Sequence, residues 1–180
     1  MDDARGEVLL AIARQAIERG DDAPEALAAP DAPWLRETGA SFVTLRLDGE
    51  LRGCIGSIDP RRPLGEDVAR NARAAAFHDP RFPPVSAGEL PRLEVEVSVL
   101  SAREPMKAAS EAEALAQLRP GVDGVAFEYG AAAATFLPQV WESLPQPDEF
   151  LDALRRKAGL PARFWHRDVR LSRYTVEKFA

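Results

Sequence analysis

Cysteine and histidine are scarce in this sequence of 180 residues, which contains only Cys54, His78 and His166. A single cysteine cannot form an internal disulfide, so the sequence favours a reducing compartment, and we expect a cytoplasmic protein. One cysteine and two histidines are also too few for a structural zinc site of the Cys/His type. The sequence therefore predicts no bound metal.

Basic residues and long apolar runs are also limited. Lys and Arg number 23 against 29 Asp and Glu, which gives a formal net charge of -6. Nucleic-acid binders and polybasic membrane-surface proteins rely on basic patches, so we expect neither a nucleic-acid nor a membrane partner. No apolar run reaches the roughly 18 residues of a transmembrane helix, and the acidic N-terminus is unlike a signal peptide. Dinucleotide and phosphate-loop fingerprints are missing as well, so no cofactor is expected.

The composition and hydrophobic periodicity are those of a folded globular chain, with 46% hydrophobic and 29% charged residues. The predicted strands come in antiparallel hairpins rather than alternating with every helix. This predicts an α+β fold in which helices pack on an antiparallel sheet. We take residues 1–180 as a single domain that has room for a small subdomain within it.

Several elements follow from local patterns. Asp48-Gly49 predicts a tight hairpin turn, and the Ala-rich segment after Pro63 predicts a helix that packs closely on the sheet. Ser86 and Glu89 have the spacing of a capping box, and Asp148 is predicted to cap a helix. The predicted helices are 6–20, 63–78, 110–118 and 148–158, and the predicted strands are 41–47, 50–58, 93–101, 125–129, 133–137 and one or two within 169–179.

The string Leu-Arg-Gly-Cys-Ile-Gly at 51–56 carries the strongest functional signal. A regular hairpin would pair Leu45 with Arg52 and Val43 with Cys54. Residues two apart in a strand share a face, so Arg52 and Cys54 would point the same way. A guanidinium beside a thiol favours the thiolate. This register predicts a reactive cysteine.

Gly53 and Gly56 flank this cysteine and have two interpretations. Glycine in a strand marks a place where a ligand or another backbone comes close, which would clear space around Cys54. Alternatively, Cys54 is a small buried hydrophobe, and the glycines only allow the Ala-rich helix to pack on the sheet. Both interpretations stay open at this point.

A second cluster spans residues 77–82. His78 could act as base to the Cys54 nucleophile, with Asp79 orienting it. Alternatively, Asp79-Pro80 is a turn and Arg81 an ion-pair partner. Glu96 belongs to a polar stripe that is either a solvated sheet face or a source of a carboxylate for Arg52 or Arg81.

These segments, in this order, resemble the AMMECR domain family, also called AmmeMemoRadiSam system protein A. The likeness begins near Ser41, and its blocks are residues 51–56, 75–84, 96–101, 120–125, 136–141 and 157–160. The resemblance implies an α+β fold with an antiparallel sheet, a smaller subdomain, an intervening cleft, and the signature cysteine at or near that cleft. It also implies gene partnership with a Memo-like protein and a radical-SAM enzyme, but it supplies no reaction.

Two functional hypotheses follow. In the first, the chain binds an unknown small molecule as an enzyme or enzyme subunit, with Cys54 as nucleophile or covalent acceptor and Arg52 activating it or binding an anion. The other candidate site residues are Asp79 in the catalytic group, and Gly53, Gly56, Arg81 and Glu96 in the binding group. In the second, the chain is a non-catalytic scaffold for a peptide or partner protein, and the signature is structural. The sequence does not decide whether the protein is an enzyme.

Overall fold

The computed structural model describes residues 2–22 and 32–180. Its antiparallel sheets with helices packed against them confirm the α+β class. The described helices are α1 Asp2–Glu18, α2 Pro33–Arg36, α3 Leu64–Phe77, α4 Glu111–Gln117 and α5 Pro147–Lys157. The strands are β1 Thr38–Leu47, β2 Glu50–Gly56, β3 Arg62–Pro63, β4 Leu93–Leu100, β5 Glu104–Met106, β6 Gly124–Tyr129, β7 Ala132–Phe136, β8 Arg170–Tyr174 and β9 Val176–Phe179.

The chain divides into two compact units, one of residues 1–100 and 177–180 and the other of residues 101–176. The first unit contains a sheet in the order β2-β1-β4-β9, with β3 paired to the start of β1. The second contains a sheet in the order β5-β8-β6-β7. The C-terminal segment predicted as one or two strands forms two, β8 in the second sheet and β9 in the first.

The core of the first unit lies between one face of its sheet and the helices α1 and α3. Alternate residues of β1 and β4 point into it, which confirms the predicted period of two on β4. The predicted apolar face of α3 is fully buried and consists of Leu64, Val68, Ala69, Ala72, Ala75 and Ala76. Because alanine is small, α3 lies close to the sheet.

A buried polar network also joins α3 to the first two strands. The Asp67 carboxylate, 1% exposed, accepts hydrogen bonds from the Ser41 amide and hydroxyl at 2.9 and 2.8 Å. It also accepts from the Ser57 hydroxyl at 2.8 Å, the Asn71 amide at 3.0 Å and the Arg62 guanidinium at 3.1 Å. Buried carboxylates require such partners, so this network fixes the helix relative to β1 and β2.

The hairpin of β1 and β2 departs from the predicted register. Its turn is as expected, with Asp48 and Gly49 both at positive φ, 52° and 84°. Beyond Arg46 and Leu51 the register shifts, so that Leu45 pairs with Gly53 and Thr44 with Cys54. Arg52 is the extra residue of a β-bulge. The predicted pairing of Leu45 with Arg52 and Val43 with Cys54 is therefore wrong.

In the second unit, Phe150 of α5 stacks on Trp141 with ring centroids 3.7 Å apart, and both are buried. Ser110 caps α4 by accepting the Glu113 amide, and β6 and β7 form the predicted hairpin. The cap predicted for α5 is wrong, because the helix begins at Pro147 and Asp148 lies in its first turn. Proline is favoured at the first helical position because the amide hydrogen that it lacks would have no acceptor within the helix.

Candidate functional site

The β-bulge gives Arg52 and Cys54 different surroundings. Arg52 donates from Nε to Glu89 Oε1 at 2.7 Å and from Nη2 to the Pro84 carbonyl at 3.3 Å. Gly53 faces α3, since a Cβ there would lie 2.1 Å from the Ala75 carbonyl oxygen. Cys54, the next residue in the strand, therefore faces away from α3. The hydrogen bonds of Arg52 are with Glu89 and Pro84, so its guanidinium fastens β2 to the segment that follows α3.

Glu89 is the functional partner of Arg52 that sequence analysis missed. Its Oε2 also accepts the Ser86 amide at 2.7 Å and the Ser86 hydroxyl at 2.9 Å, so the predicted Ser86–Glu89 contact is real. The Arg52 guanidinium, followed by the two Ser86 bonds, lowers the pKa of Glu89 to about 2. The capping-box spacing was the sequence signal, but nothing in it identified Arg52 as the partner.

Asp79 lies directly against the main chain of the cysteine. Its carboxylate, 3% exposed, accepts the Cys54 amide at 2.9 Å and the Arg81 Nη2 at 2.7 Å. The hydrogen bond from Arg81 is the largest influence on its pKa, which is held well below the usual aspartate value despite burial. Asp79 therefore stays ionised. Its carboxylate provides a hydrogen-bond acceptor at the outer edge of β2, beyond which the described residues contain no further strand.

Arg81 contacts the same outer edge of β2 as Asp79. Its Nη2 also donates to the Cys54 carbonyl at 3.2 Å, so Asp79 and Arg81 together satisfy both main-chain groups of Cys54. The bond to Asp79, with a smaller contribution from Cys54, raises the pKa of Arg81. Its side chain is nevertheless 54% exposed. Arg81 is therefore a guanidinium that bonds directly to Cys54.

His78 does not join this group. Its Nε2 lies 2.7 Å from Asp21 Oδ1, and its side chain is 60% exposed. Asp79, its sequence neighbour, is directed instead to the Cys54 amide. The structure therefore gives no support to a base at His78 that Asp79 orients.

The thiol itself is half-buried, with Sγ 3.3 Å from Thr44 Oγ1 on the neighbouring strand. Thr44 is also the cross-strand partner of Glu96. Glu96 Oε1 lies 3.9 Å from Lys178 Nζ, so its ion pair is with β9 and not with Arg52 or Arg81 as one alternative held. These residues form a polar strip on the sheet face away from α3, which consists of Cys54, Thr44, Glu96 and Lys178.

Gly56 provides no open space for a ligand. A Cβ at this position would lie 2.2 Å from two atoms of the Phe42 ring, which is packed over the glycine. Gly53 is equally occupied, by the Ala75 carbonyl. Both glycines therefore have the packing role that the second interpretation assigned to them, although the helix accounts only for Gly53.

The chain matches a known protein family. The AMMECR1 family model matches residues 10–179 of the chain. The chain belongs to the AMMECR1 family. A protein of Methanothermobacter thermautotrophicus is 40% identical, over 97% of this chain and 93% of its own length. A protein of Thermotoga maritima is 41% identical, over 91% and 86% of the two chains.

A solved structure is similar to this chain in both fold and sequence. The crystal structure of uncharacterized protein PH0010 from Pyrococcus horikoshii superimposes on this AMMECR1-family chain with a TM-score of 0.79. It is 36% identical, and the match covers 96% of this chain and 89% of that one. The predicted resemblance is thus confirmed. No helix in the described residues combines the length and apolar character needed to cross a bilayer.

Proposed function

We propose that this AMMECR1-family protein binds a small anionic molecule between the Cys54 thiol and the Arg81 guanidinium. The observation that carries this proposal is the pairing of a half-buried cysteine with a guanidinium that bonds to its carbonyl and remains 54% exposed. Nε and Nη2 of Arg81 already donate to Asp79, and Nη2 also donates to the Cys54 carbonyl, so Nη1 is the donor that would bind the anionic group.

The remaining signature residues support this assignment by holding the cysteine in place. Arg52 is bound to Glu89, and the Asp79 carboxylate accepts the Cys54 amide. Cys54 therefore stands on a strand whose position is fixed from both its edge and its helical side. A rigid support of this kind is what a binding or catalytic group requires.

In this proposal the thiol is the nucleophile or covalent acceptor. The hydroxyl of Thr44 lies 3.3 Å from Sγ, where it can donate a hydrogen bond to the sulfur. The bound molecule would place its anionic group on Arg81 and its reactive carbon at Sγ. The protein would then act as an enzyme or as a subunit beside a Memo-like protein and a radical-SAM enzyme.

Alkylation tests this site directly, because Cys54 is the only cysteine in the chain. The thiolate displaces iodide from neutral iodoacetamide or from anionic iodoacetate, and mass spectrometry follows both reactions in the native protein. A neighbouring positive charge contributes about 1 kcal/mol at 4 Å in water, which is about fivefold in rate. We therefore expect Arg81→Gln to lower the ratio of the iodoacetate rate to the iodoacetamide rate about fivefold.

Arg46→Gln is the matched control, because Arg46 is an exposed arginine on the adjacent strand and its loss changes the net charge equally. The double variant Asp79→Asn/Arg81→Gln removes both members of the ion pair and guards against misfolding of the single variant. An unchanged ratio in both Arg81 variants would refute the anion site. A thiol that reacts only after denaturation would remove the nucleophile.

A second candidate function is a non-catalytic scaffold, and the packing of Gly53 and Gly56 favours it. Under this hypothesis the signature maintains a bulged edge strand, and a partner protein binds elsewhere. Co-purification with a Memo-like partner that is unaffected by Cys54→Ser would support the scaffold. Loss of the partner's catalysis in Cys54→Ser, with the complex intact, would support the thiol site.

A further inference from the structure

We propose that the groove between α1 and β9 binds an extended peptide segment of a partner protein, which adds to β9 as a further strand. The groove is defined by Gly6, Glu7 and Leu10 of α1 and by residues 177–180. It belongs to the first compact unit and involves neither Cys54 nor Arg81. Strand addition to an exposed sheet edge is an established mode of peptide recognition.

The two edges of this sheet differ. At β2, the main-chain groups of Cys54 bond to Asp79 and Arg81, so side chains occupy that edge. At the other end of the order β2-β1-β4-β9, no strand of the described residues lies beyond β9. A terminal strand presents a row of N–H and C=O groups that can pair with another chain.

A cavity of about 540 Å³ lies beside this open edge. Its apolar wall includes the half-buried Leu10 and the ring of Phe179. Gly6 brings α1 against this ring, since a Cβ on Gly6 would lie 2.7 Å from Phe179 Cδ1. The volume is within the range of about 300–1,000 Å³ typical of ligand pockets, so the cavity can accept side chains of a strand that pairs with β9.

The charges around the groove specify the partner. Glu7 is exposed on the helical wall, and Glu177 remains 43% exposed although Arg5 lies 3.4 Å from it. Glu177 is paired with Arg5, and Lys178 is paired with Glu96 at 3.9 Å, so Glu7 is the unpaired charge of the rim among the described residues. The rim therefore favours a basic occupant, while the wall favours an apolar one. We commit to a segment in which apolar residues alternate with Lys or Arg.

Selection from a library of random linear peptides tests the proposal on the full chain. We expect enriched sequences to alternate apolar and basic residues and to shift the amide resonances of residues 177–179. Glu7→Lys should weaken their binding about tenfold. Glu18→Lys is the matched control, since this exposed residue lies three turns further along α1, and it should leave affinity unchanged.

N-methylation separates strand addition from other binding. Methylating the alternate peptide amides that face β9 should abolish binding, whereas methylating the intervening amides should not. Binding that is indifferent to both sets would overturn the strand-addition proposal and indicate side-chain contacts only. The groove would be refuted as the binding site if no peptide were enriched on the parent protein relative to the Glu7→Lys protein. It would also be refuted if the enriched peptides shifted resonances outside residues 177–179. Folding of both variants is checked by circular dichroism.

Discussion

Gly53→Ala separates packing from ligand binding at the signature. The added Cβ would lie 2.1 Å from the carbonyl oxygen of Ala75 and 3.0 Å from its carbonyl carbon. Both are main-chain atoms of α3, so no side-chain rotation can relieve the contact. Either the strand or the helix has to move by about 1 Å to restore an ordinary van der Waals distance.

This movement determines how much the substitution lowers the free energy of unfolding. Overpacking of a dense core costs about 1–3 kcal/mol. The contact with Gly53 is against backbone within the buried alanine face of α3, so we expect the upper end, about 3 kcal/mol. With a urea m-value of about 2 kcal/mol/M, this lowers the unfolding midpoint by about 1.5 M.

Hydrogen exchange of the α3 amides is the suitable assay, because it reports on the first unit separately from the second. A loss of about 3 kcal/mol should accelerate their exchange by about 100-fold. Gly88→Ala is the control: Gly88 has ordinary φ, and a methyl group added there would have nothing within 4 Å, so the exchange of α3 should be unchanged. If Gly53→Ala protects α3 as well as the parent does, Gly53 has no packing role, and the ligand interpretation returns.

Three further predictions concern the partners of the signature. Glu89→Gln should cost about 2 kcal/mol at pH 7, because Arg52 then lacks its charged partner. The pKa of Glu89 is lowered from about 4.5 to about 2 in the folded protein, so its contribution to the free energy of unfolding is present above pH 4.5 and disappears as the pH falls towards 2. In urea titrations the parent protein and Glu89→Gln should therefore become equally stable near pH 2. Asp79→Asn should destabilise β2 and increase amide exchange at Cys54, and unchanged exchange would contradict the edge contact. Arg52→Gln should lower stability by about 2 kcal/mol but change the Cys54 alkylation rate less than about twofold, and a roughly tenfold slower reaction would return Arg52 to the thiol.

The fold class and the face of α3 could be predicted because they depend on periodicity. Alanines at helical spacing identified the buried stripe, and Asp48-Gly49 identified the turn. Asp67 and Asn71 interrupt the same stripe one turn apart and are buried in it. A polar pair at this spacing within an apolar face was the available signal for the Asp67 network.

The bulge at Arg52 could not be predicted from alternation. A period of two assumes that each residue has one partner, and one inserted residue reverses the face of everything after it. This is why the predicted pairing of Leu45 with Arg52 and of Val43 with Cys54 failed even though the hairpin and its turn were correct. The contacts of Asp79 and Arg81 with the Cys54 main chain were also out of reach, because they join segments 25 and 27 residues apart.

A thiol is not required by the contacts that hold β2. Cys54 donates its main-chain amide to Asp79 and accepts from Arg81 at its main-chain carbonyl, and any residue except proline would make the first of these bonds. The contact with Thr44 is one that a serine hydroxyl could replace. Cys54→Ser should therefore leave folding nearly unchanged. If the variant also loses partner-dependent activity, the loss must come from sulfur chemistry, since the geometry around position 54 offers no structural cause.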